Sequence, residues 1–282
     1  MSPIRVAVPS KGRLRDSVLD LVDHAGYDLR RFGRSSSASA TAEGIEFIEM
    51  RPRDAAAWLH AGRLAAAFIS TDTALENGVA DWPALELGFS RSDLVLACRD
   101  GDPYQSAADL TGRTIATHLP NYTQQWFSGQ NVDVDVVAMG GALEGVCATG
   151  MAEAIVDLRE TGNSLTSNRL RVVAEIASCQ AIFSMADDAP PAIADLRLRL
   201  EAALAARRTQ YLLLHIAPEK VDSLGSVFPG LESPTVLPLA GRTDLVAAHL
   251  VVERANLWSR LSDLRALGAT GIVALPTDAI LR

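Results

Sequence analysis

The chain has 282 residues, 48% hydrophobic and 21% charged, with 20 glycines and 13 prolines. That composition excludes a disordered, collagen-like or disulfide-scaffolded polypeptide and allows two or three folded units. The net charge of -8 argues against a nucleic-acid binder or a binder of anionic membranes, because those partners reward a basic surface.

The first apolar run, IRVAV at 4–8, predicts a strand. A helix follows from about Leu14 to Ala25, where Leu14, Val18, Leu21, Val22 and Ala25 recur at three- and four-residue steps. The small polar run SSSASATA at 35–42 reads as an exposed loop or a weak strand edge. Further strands are expected near 45–50, 64–69, 93–98, 113–117, 132–138, 153–158 and 170–176, with helices near 53–62, 105–110, 121–129 and 142–149. The alternation predicts an α/β architecture with largely parallel sheets. Paired prolines in DDAPPAI at 187–193 break the pattern, and LRLRLEAALAAR then runs helical to Arg207. The remaining residues read as strand QYLLLHI, helix 218–228, strand SPTVLPL, strand LVAAHLVV, helix 256–267 and strand TGIVALP. That βαββαβ order is the ferredoxin-like motif.

No stretch approaches the ~18 uninterrupted apolar residues of a membrane span. Arg5 and SKGRLRD interrupt any signal-peptide core, so the expected compartment is the cytoplasm. Cys98, Cys147 and Cys179 are odd in number, lie in apolar runs and lack CxxC spacing, which predicts buried thiols and not a metal or disulfide set. Only Lys11 and Lys220 are lysines among 26 basic residues. A lysine at position 11 therefore draws notice, since Lys offers a compact point charge suited to phosphate.

The richest stretch is AIVDLRETGNSLTSNRL at 154–170. An apolar strand carries Asp157 near its carboxyl end, where α/β proteins place ligand contacts, and the small-residue turn Thr161, Gly162, Asn163 and Ser164 follows. A turn opening a helix leaves backbone N–H groups free to meet a phosphate, with hydroxyls beside them. Asp157 could then accept from ribose hydroxyls. The competing reading is a helix cap by Thr161 or Asn163, with Glu160 favouring the helix dipole. No GxxxxGK[ST] pattern is present, so this is no nucleoside-triphosphatase loop. A second strand–loop–helix cluster, VPSKGRLRD at 8–16, sets Lys11, Arg13 and Arg15 around Gly12. It reads either as a clamp for a polyphosphate leaving group or as a solvated loop balancing Asp16 and Asp20.

Several motifs in order resemble one family, the long-form ATP phosphoribosyltransferases, first enzymes of histidine biosynthesis. VPSKGRL is similar to that family's P-K-G-R-L start and MRPRD at 50–54 to its R-P-x-D. LGFSRSDLVLA at 87–97 is similar to L-G-x-G-x-x-x-L, and IATHLPN at 115–121 to I-A-T-x-Y-P-N. TGNSL resembles the T-G-x-T-L phosphoribosyl pyrophosphate loop, and PGLESPTVLPL at 229–239 a signature of the C-terminal domain; GGALE at 140–144 and MAEAIVDL at 151–158 add to the likeness. The resemblance departs at D-x-G-I-T-G-x-D, where this chain reads Ala65 to Asp72 as AAAFISTD and keeps only the last acid. His118-Leu119 replaces the usual aromatic before Pro120-Asn121.

What the resemblance implies is a two-domain catalytic part like a type II periplasmic binding protein, with domain I at 1–91 and 178–206 and domain II at 92–177. A ferredoxin-like regulatory and assembly domain would occupy 207–282. The implied reaction moves the phosphoribosyl group of phosphoribosyl pyrophosphate to N1 of ATP. Lys11 and Arg13 would face pyrophosphate or ATP phosphates, and Arg51, Asp72 and Ser90 would line the nucleotide pocket. Asp157, Glu160, Thr161, Gly162, Asn163 and Ser164 would hold phosphoribosyl pyrophosphate. Mg²⁺ would arrive on the pyrophosphate without a dedicated protein metal site. Histidine would act as allosteric inhibitor through His215, Ser233 and Thr235, with His215 standing where the family often has an acid, and the chain would form dimers or hexamers. The alternative is a non-catalytic ligand-binding or regulatory paralogue, motivated by the missing glycines of 65–70.

Overall fold

A computed structural model describes residues 3–29, 39–229 and 234–281. Two compact units are distinguished, Met1–Asp23 with Tyr27–Arg197, and His24–Gly26 with Leu198–Arg282.

The first unit contains two sheets. β1 (Ile4–Pro9) leads into α1 (Gly12–His24), and the edge strand β2 (Ser39–Ala42) pairs with β3 (Ile45–Met50). α2 (Pro52–His60), β4 (Ala66–Ser70), α3 (Thr71–Glu76) and β5 (Ala84–Glu86) complete the first lobe's opening pass. The chain then crosses to the second lobe: β6 (Ser92–Arg99), β7 (Thr114–Thr117), α4 (Pro120–Gly129), β8 (Asp135–Ala138), α5 (Leu143–Ala148), β9 (Ala154–Arg159), α6 (Asn163–Ser167) and β10 (Leu170–Cys179). It returns as β11 (Ala181–Met185) and leaves along α7 (Pro191–Arg208).

The first sheet runs β2-β3-β1-β4-β11-β5 and the second β10-β6-β9-β7-β8. Each has three parallel strands from successive βα units in second-first-third order, followed by an antiparallel strand arriving from the other lobe. This duplicated order is the type II periplasmic-binding-protein arrangement. The sheets are therefore mixed and not largely parallel, because β6 and β11 enter from the crossovers and must run against their neighbours. Strands covered on both faces read as unbroken apolar runs: Val6, Ala7 and Val8 of β1, Phe68 and Ile69 of β4, and Ile155 and Val156 of β9 are at most 1% exposed.

In the second unit β12 (Thr209–Ile216), α8 (Leu224–Val227), β13 (Thr235–Pro238), β14 (Val246–Glu253), α9 (Arg254–Ala266) and β15 (Thr270–Pro276) form an antiparallel sheet ordered β13-β14-β12-β15. The expected ferredoxin-like order is thus present. Leu212, Leu214, Ile216, Ala248, Leu250 and Val252 face one core with Leu224, Leu257 and Leu264.

Local differences have local causes. Residues 107–110 form one 3₁₀ turn and not a helix over 105–110, since Asp109 and Ser106 close a capping box there. The helix expected over 218–228 divides into a 3₁₀ segment, Pro218–Ser223, and α8. α3, β5 and β11 went unread; β11 is a five-residue run buried throughout, which carries no periodicity. Among the described residues no helix is long and apolar enough to cross a membrane.

Candidate functional site

The carboxyl ends of β1, β4 and β9 and the start of β6 converge on one cleft of the first unit. A cavity of about 600 Å³ is lined by residues including Lys11, Gly12, Arg13, Ser70, Asp72, Ser90, Arg91, Ser92 and Glu160. A second hollow of about 260 Å³ lies over the turn, lined by Glu144, Thr161, Gly162 and Ser164 among others. A third, of about 310 Å³, is lined by Arg91, Arg159 and the crossover residues Ser178 to Gln180. Ser92 and Glu160 border all three, so the hollows are compartments of a single site. Ligands of α/β proteins bind at such strand ends.

Charge is distributed unevenly around it. Arg13 donates to both carboxylate oxygens of Glu160, at 3.0 and 2.7 Å, joining the two basic and small-residue loops across the cleft. Arg159 is engaged by Asp93 at 2.7 Å and Glu175 at 2.6 Å, and these carboxylates raise its pKa. Asp72 is only 5% exposed, and its Oδ1 has no hydrogen-bond partner. The Asp157 carboxyl is pushed up, chiefly by burial; the Leu158 N–H and His118 act in the opposite sense and Glu144 adds to the rise. Ser164 Oγ donates to Glu144.

Backbone conformation explains where glycine is required. Gly162 has φ +79° and ends the strand–turn so that α6 can start, a conformation that L side chains adopt at a cost of roughly 1–2 kcal/mol. Ser90 accepts the same region at φ +52°, where the related motif has glycine. The replaced glycines of 65–70 fall differently. Ala67 is fully buried in the core of the first lobe and Ser70 is extended at φ -118°, so neither backbone conformation requires glycine. Ser70 and Asp72 still reach the cavity.

Lys11, Arg13, Asp72, Ser90, Glu160, Thr161, Gly162 and Ser164 are thus brought together. Asn163 is exposed at the first position of α6, and Asp157 lies half-buried on β9 just before the turn. Arg51 sits at the N-cap of α2, following Met50, whose carbonyl accepts from the Ser10 N–H at 3.0 Å; it borders the Lys11 loop and lines none of the three hollows. His215 and Thr235 occupy the outer face of the second unit's sheet, on either side of β14; Ser233 lies outside the described residues. The sequence reading missed Arg91, Ser92, the pairing of Glu144 with Ser164, and the proximity of His118 to Asp157 at 3.4 Å. It also missed the hydrogen bond between Tyr211 and His249 on that outer face. The three pairings join segments distant in sequence, with no local signal.

Comparison with known proteins decides the family. The family model described as ATP phosphoribosyltransferase matches residues 51–202, and that of the HisG C-terminal domain matches 206–279. The chain belongs to the ATP phosphoribosyltransferase family. This is the family of the pentosyl transferase that opens histidine biosynthesis. The ATP phosphoribosyltransferase of Methanopyrus kandleri is 33% identical over 281 residues, covering 99% of each chain. That of Kocuria rhizophila is 34% identical over 279 residues, covering 98% of this chain and 99% of the relative. Among solved structures, the ATP phosphoribosyl transferase (HisG:HisZ) complex from Thermotoga maritima aligns with a TM-score of 0.58 at 24% identity, covering 70% of this chain and 98% of that one. It agrees with the fold derived above. The C-terminal match covers the ferredoxin-like sheet, so that unit too is a family feature.

Proposed function

We propose that this chain transfers the phosphoribosyl group of phosphoribosyl pyrophosphate to N1 of ATP and releases pyrophosphate. The observation that carries the reading is the meeting of two anion-suited loops, Lys11 to Arg13 and Glu160 to Ser164, in one cleft with Ser92 and Glu160 common to its compartments. The turn at Thr161, Gly162, Asn163 and Ser164 receives the 5-phosphate, and Asp157 accepts from the ribose hydroxyls. Lys11 and Arg13 stabilise the charge that gathers on the departing pyrophosphate. Asp72 and Ser90 line the nucleotide compartment, with Arg51 at its margin. N1 of the adenine is itself the nucleophile, so the protein's task is alignment with C1 of the ribose and electrostatic support, and no covalent protein nucleophile is required.

A divalent cation, Mg²⁺, fits this site as a passenger on pyrophosphate. The unpartnered Oδ1 of Asp72 would hold it, in keeping with an ion that retains waters and binds through substrate phosphates. When bound, it would neutralise part of the pyrophosphate charge.

Catalytic domain I is assigned to 1–91 and 178–206, domain II to 92–177, and the regulatory and assembly domain to 207–282, acting in the cytoplasm. The exposed Leu237, Val273 and Leu275, each 46% or more accessible, support self-association into dimers or hexamers through the open sheet face. His215, Ser233 and Thr235 are proposed to receive histidine.

Pyrophosphate release followed with ATP and phosphoribosyl pyrophosphate together tests the reaction, and calorimetry with each substrate alone tests the compartments. Binding of one substrate without pyrophosphate release would favour the non-catalytic alternative. Gly162→Val should lose phosphoribosyl pyrophosphate binding in a folded protein; unchanged affinity would return the turn to a simple helix cap.

A further inference from the structure

We propose that His118 is a positioning residue for phosphoribosyl transfer, fixing the Asp157 carboxylate in the orientation that receives the ribose hydroxyls. The inference rests on the reading of Asp157 as the ribose acceptor.

The mount for His118 is rigid. Thr117 closes β7 in register with Val156 of β9, which brings the next residue, His118, beside Asp157. Thr117 Oγ1 donates to the Val156 carbonyl at 2.9 Å, and the Leu119 N–H donates to Thr117 Oγ1 at 3.0 Å. Both hydrogen bonds are buried, so the residues flanking His118 are held to β9. The helix that begins at Pro120 is anchored in turn by Glu76, whose carboxylate accepts from the N–H groups of Asn121 at 3.3 Å and Tyr122 at 3.0 Å. A side chain supported in this way is preorganised.

The carboxylate is held asymmetrically. His118 Nδ1 lies 3.4 Å from Asp157 Oδ1, and the same oxygen accepts the Leu158 N–H at 2.8 Å. Both contacts fall on Oδ1, leaving Oδ2 as the acceptor for substrate. The other charges facing this carboxylate do not replace His118. Glu144, from α5, is a like charge, and Arg159, two residues along the same strand, is committed to Asp93 and Glu175. Without His118 the half-buried Asp157 would face Glu144 with only a backbone N–H in support, and its carboxyl would titrate at higher pH.

The test uses the full chain, with phosphoribosyl pyrophosphate and ATP titrated separately by calorimetry into wild type, His118→Ala and His118→Gln at pH 5.5 and 8.5. The Asp157 carboxyl carbon is followed by NMR in the ligand-free proteins. His118→Ala should bind phosphoribosyl pyrophosphate about tenfold more weakly at pH 5.5, where the Asp157 carboxyl, no longer offset by His118, is protonated to a greater extent. The loss should be about threefold at pH 8.5, where only orientation is lost, and ATP affinity should stay within twofold. His118→Gln, which keeps a polar side chain beside Asp157, should lose less affinity than His118→Ala. The Asp157 titration should move upward in both variants. Unchanged phosphoribosyl pyrophosphate affinity together with an unmoved Asp157 titration overturns the role of His118 alone, as does an equal loss of ATP affinity, which would mark a general structural defect. A wild-type protein that binds no phosphoribosyl pyrophosphate overturns the ribose assignment and this role together, whatever the NMR titration reports.

Discussion

Glu76→Ala removes a carboxylate that is 5% exposed and joins the first lobe to the start of a second-lobe helix. Its oxygens accept from the Asn121 N–H at 3.3 Å and the Tyr122 N–H at 3.0 Å. Arg53 stands 3.7 Å away with a side chain 56% exposed, so solvent screens that ion pair and it adds little. Hydrogen bonds to a charged acceptor contribute about 1.5–3 kcal/mol each, the longer one less, and orphaned N–H groups at a helix start are costly. A carboxylate at the positive end of a helix adds about 0.5 kcal/mol more. The expected destabilisation by Glu76→Ala is therefore about 3–4 kcal/mol, and Glu76→Gln, which keeps one acceptor oxygen, should lose about half as much. For a folded unit of this size each kcal/mol moves the midpoint by about 2–4 °C, so the alanine variant should melt about 10 °C lower by differential scanning calorimetry. Fluorescence of Trp126, which lies on α4, should report the same transition. A shift below about 2 °C for Glu76→Ala would refute the account of this carboxylate as the anchor of α4.

Asp157→Asn should separate stability from function. Burial raises the Asp157 carboxyl above its ordinary value of 3.8, so between that value and the raised one the native state holds more protons than the unfolded state, and stability falls as pH rises. The asparagine variant should thus melt higher at pH 7.5, lose that gain as pH falls toward 4, and bind phosphoribosyl pyrophosphate less well; a lower melting point at pH 7.5 would contradict the sign. Ser90→Gly should relieve a left-handed serine at φ +52°, and after the entropy that glycine returns to the unfolded chain the net gain is about 0.5–1 kcal/mol, measurable as a small rise in Tm. Burial pushes Cys147 to about 11 and Cys179 to about 12 and raises Cys98. A thiol reagent at pH 8 should find no reactive cysteine until denaturant is added and three afterwards, and one rapidly modified native thiol would overturn that assignment.

How much of this was legible in the sequence follows from the range of the interactions involved. The βαββαβ unit could be read because each element spans seven or more residues or is bounded by a turn, and the two site loops because a strand running into small or basic residues before a helix is a local pattern. The antiparallel strands β6 and β11 were not legible in direction, since pairing with a strand from the other lobe leaves no mark on SDLVLACR or AIFSM beyond apolarity. Glu76 carries no local signal, since α3 itself was not read from the sequence. Its partners lie at Asn121 and Tyr122, and only the packing of α3 beside α4 reveals them.

The replaced glycines show the converse, a sequence signal whose weight the fold changes. Read as a motif, AAAFISTD has lost the residues that let backbone approach a ligand; in the structure Ala67 faces the core and Ser70 is extended, so the substitutions leave the cavity's cations untouched. Those cations would give a chain of net charge -8 the local positive surface that the proposed function requires. Lys11, Arg13 and Arg91 border one cavity, and Glu160 pairs with Arg13 there. The Arg13 and Glu160 side chains are 85% and 59% exposed, so their bridge contributes less than about 1 kcal/mol. On the proposed reading, a pyrophosphate carrying several charges in the same cleft would displace Glu160 from Arg13 at little cost. Because the bridge joins the loop after β1 to the loop after β9, that exchange would move the contact between the two lobes from a carboxylate of the protein onto the substrate.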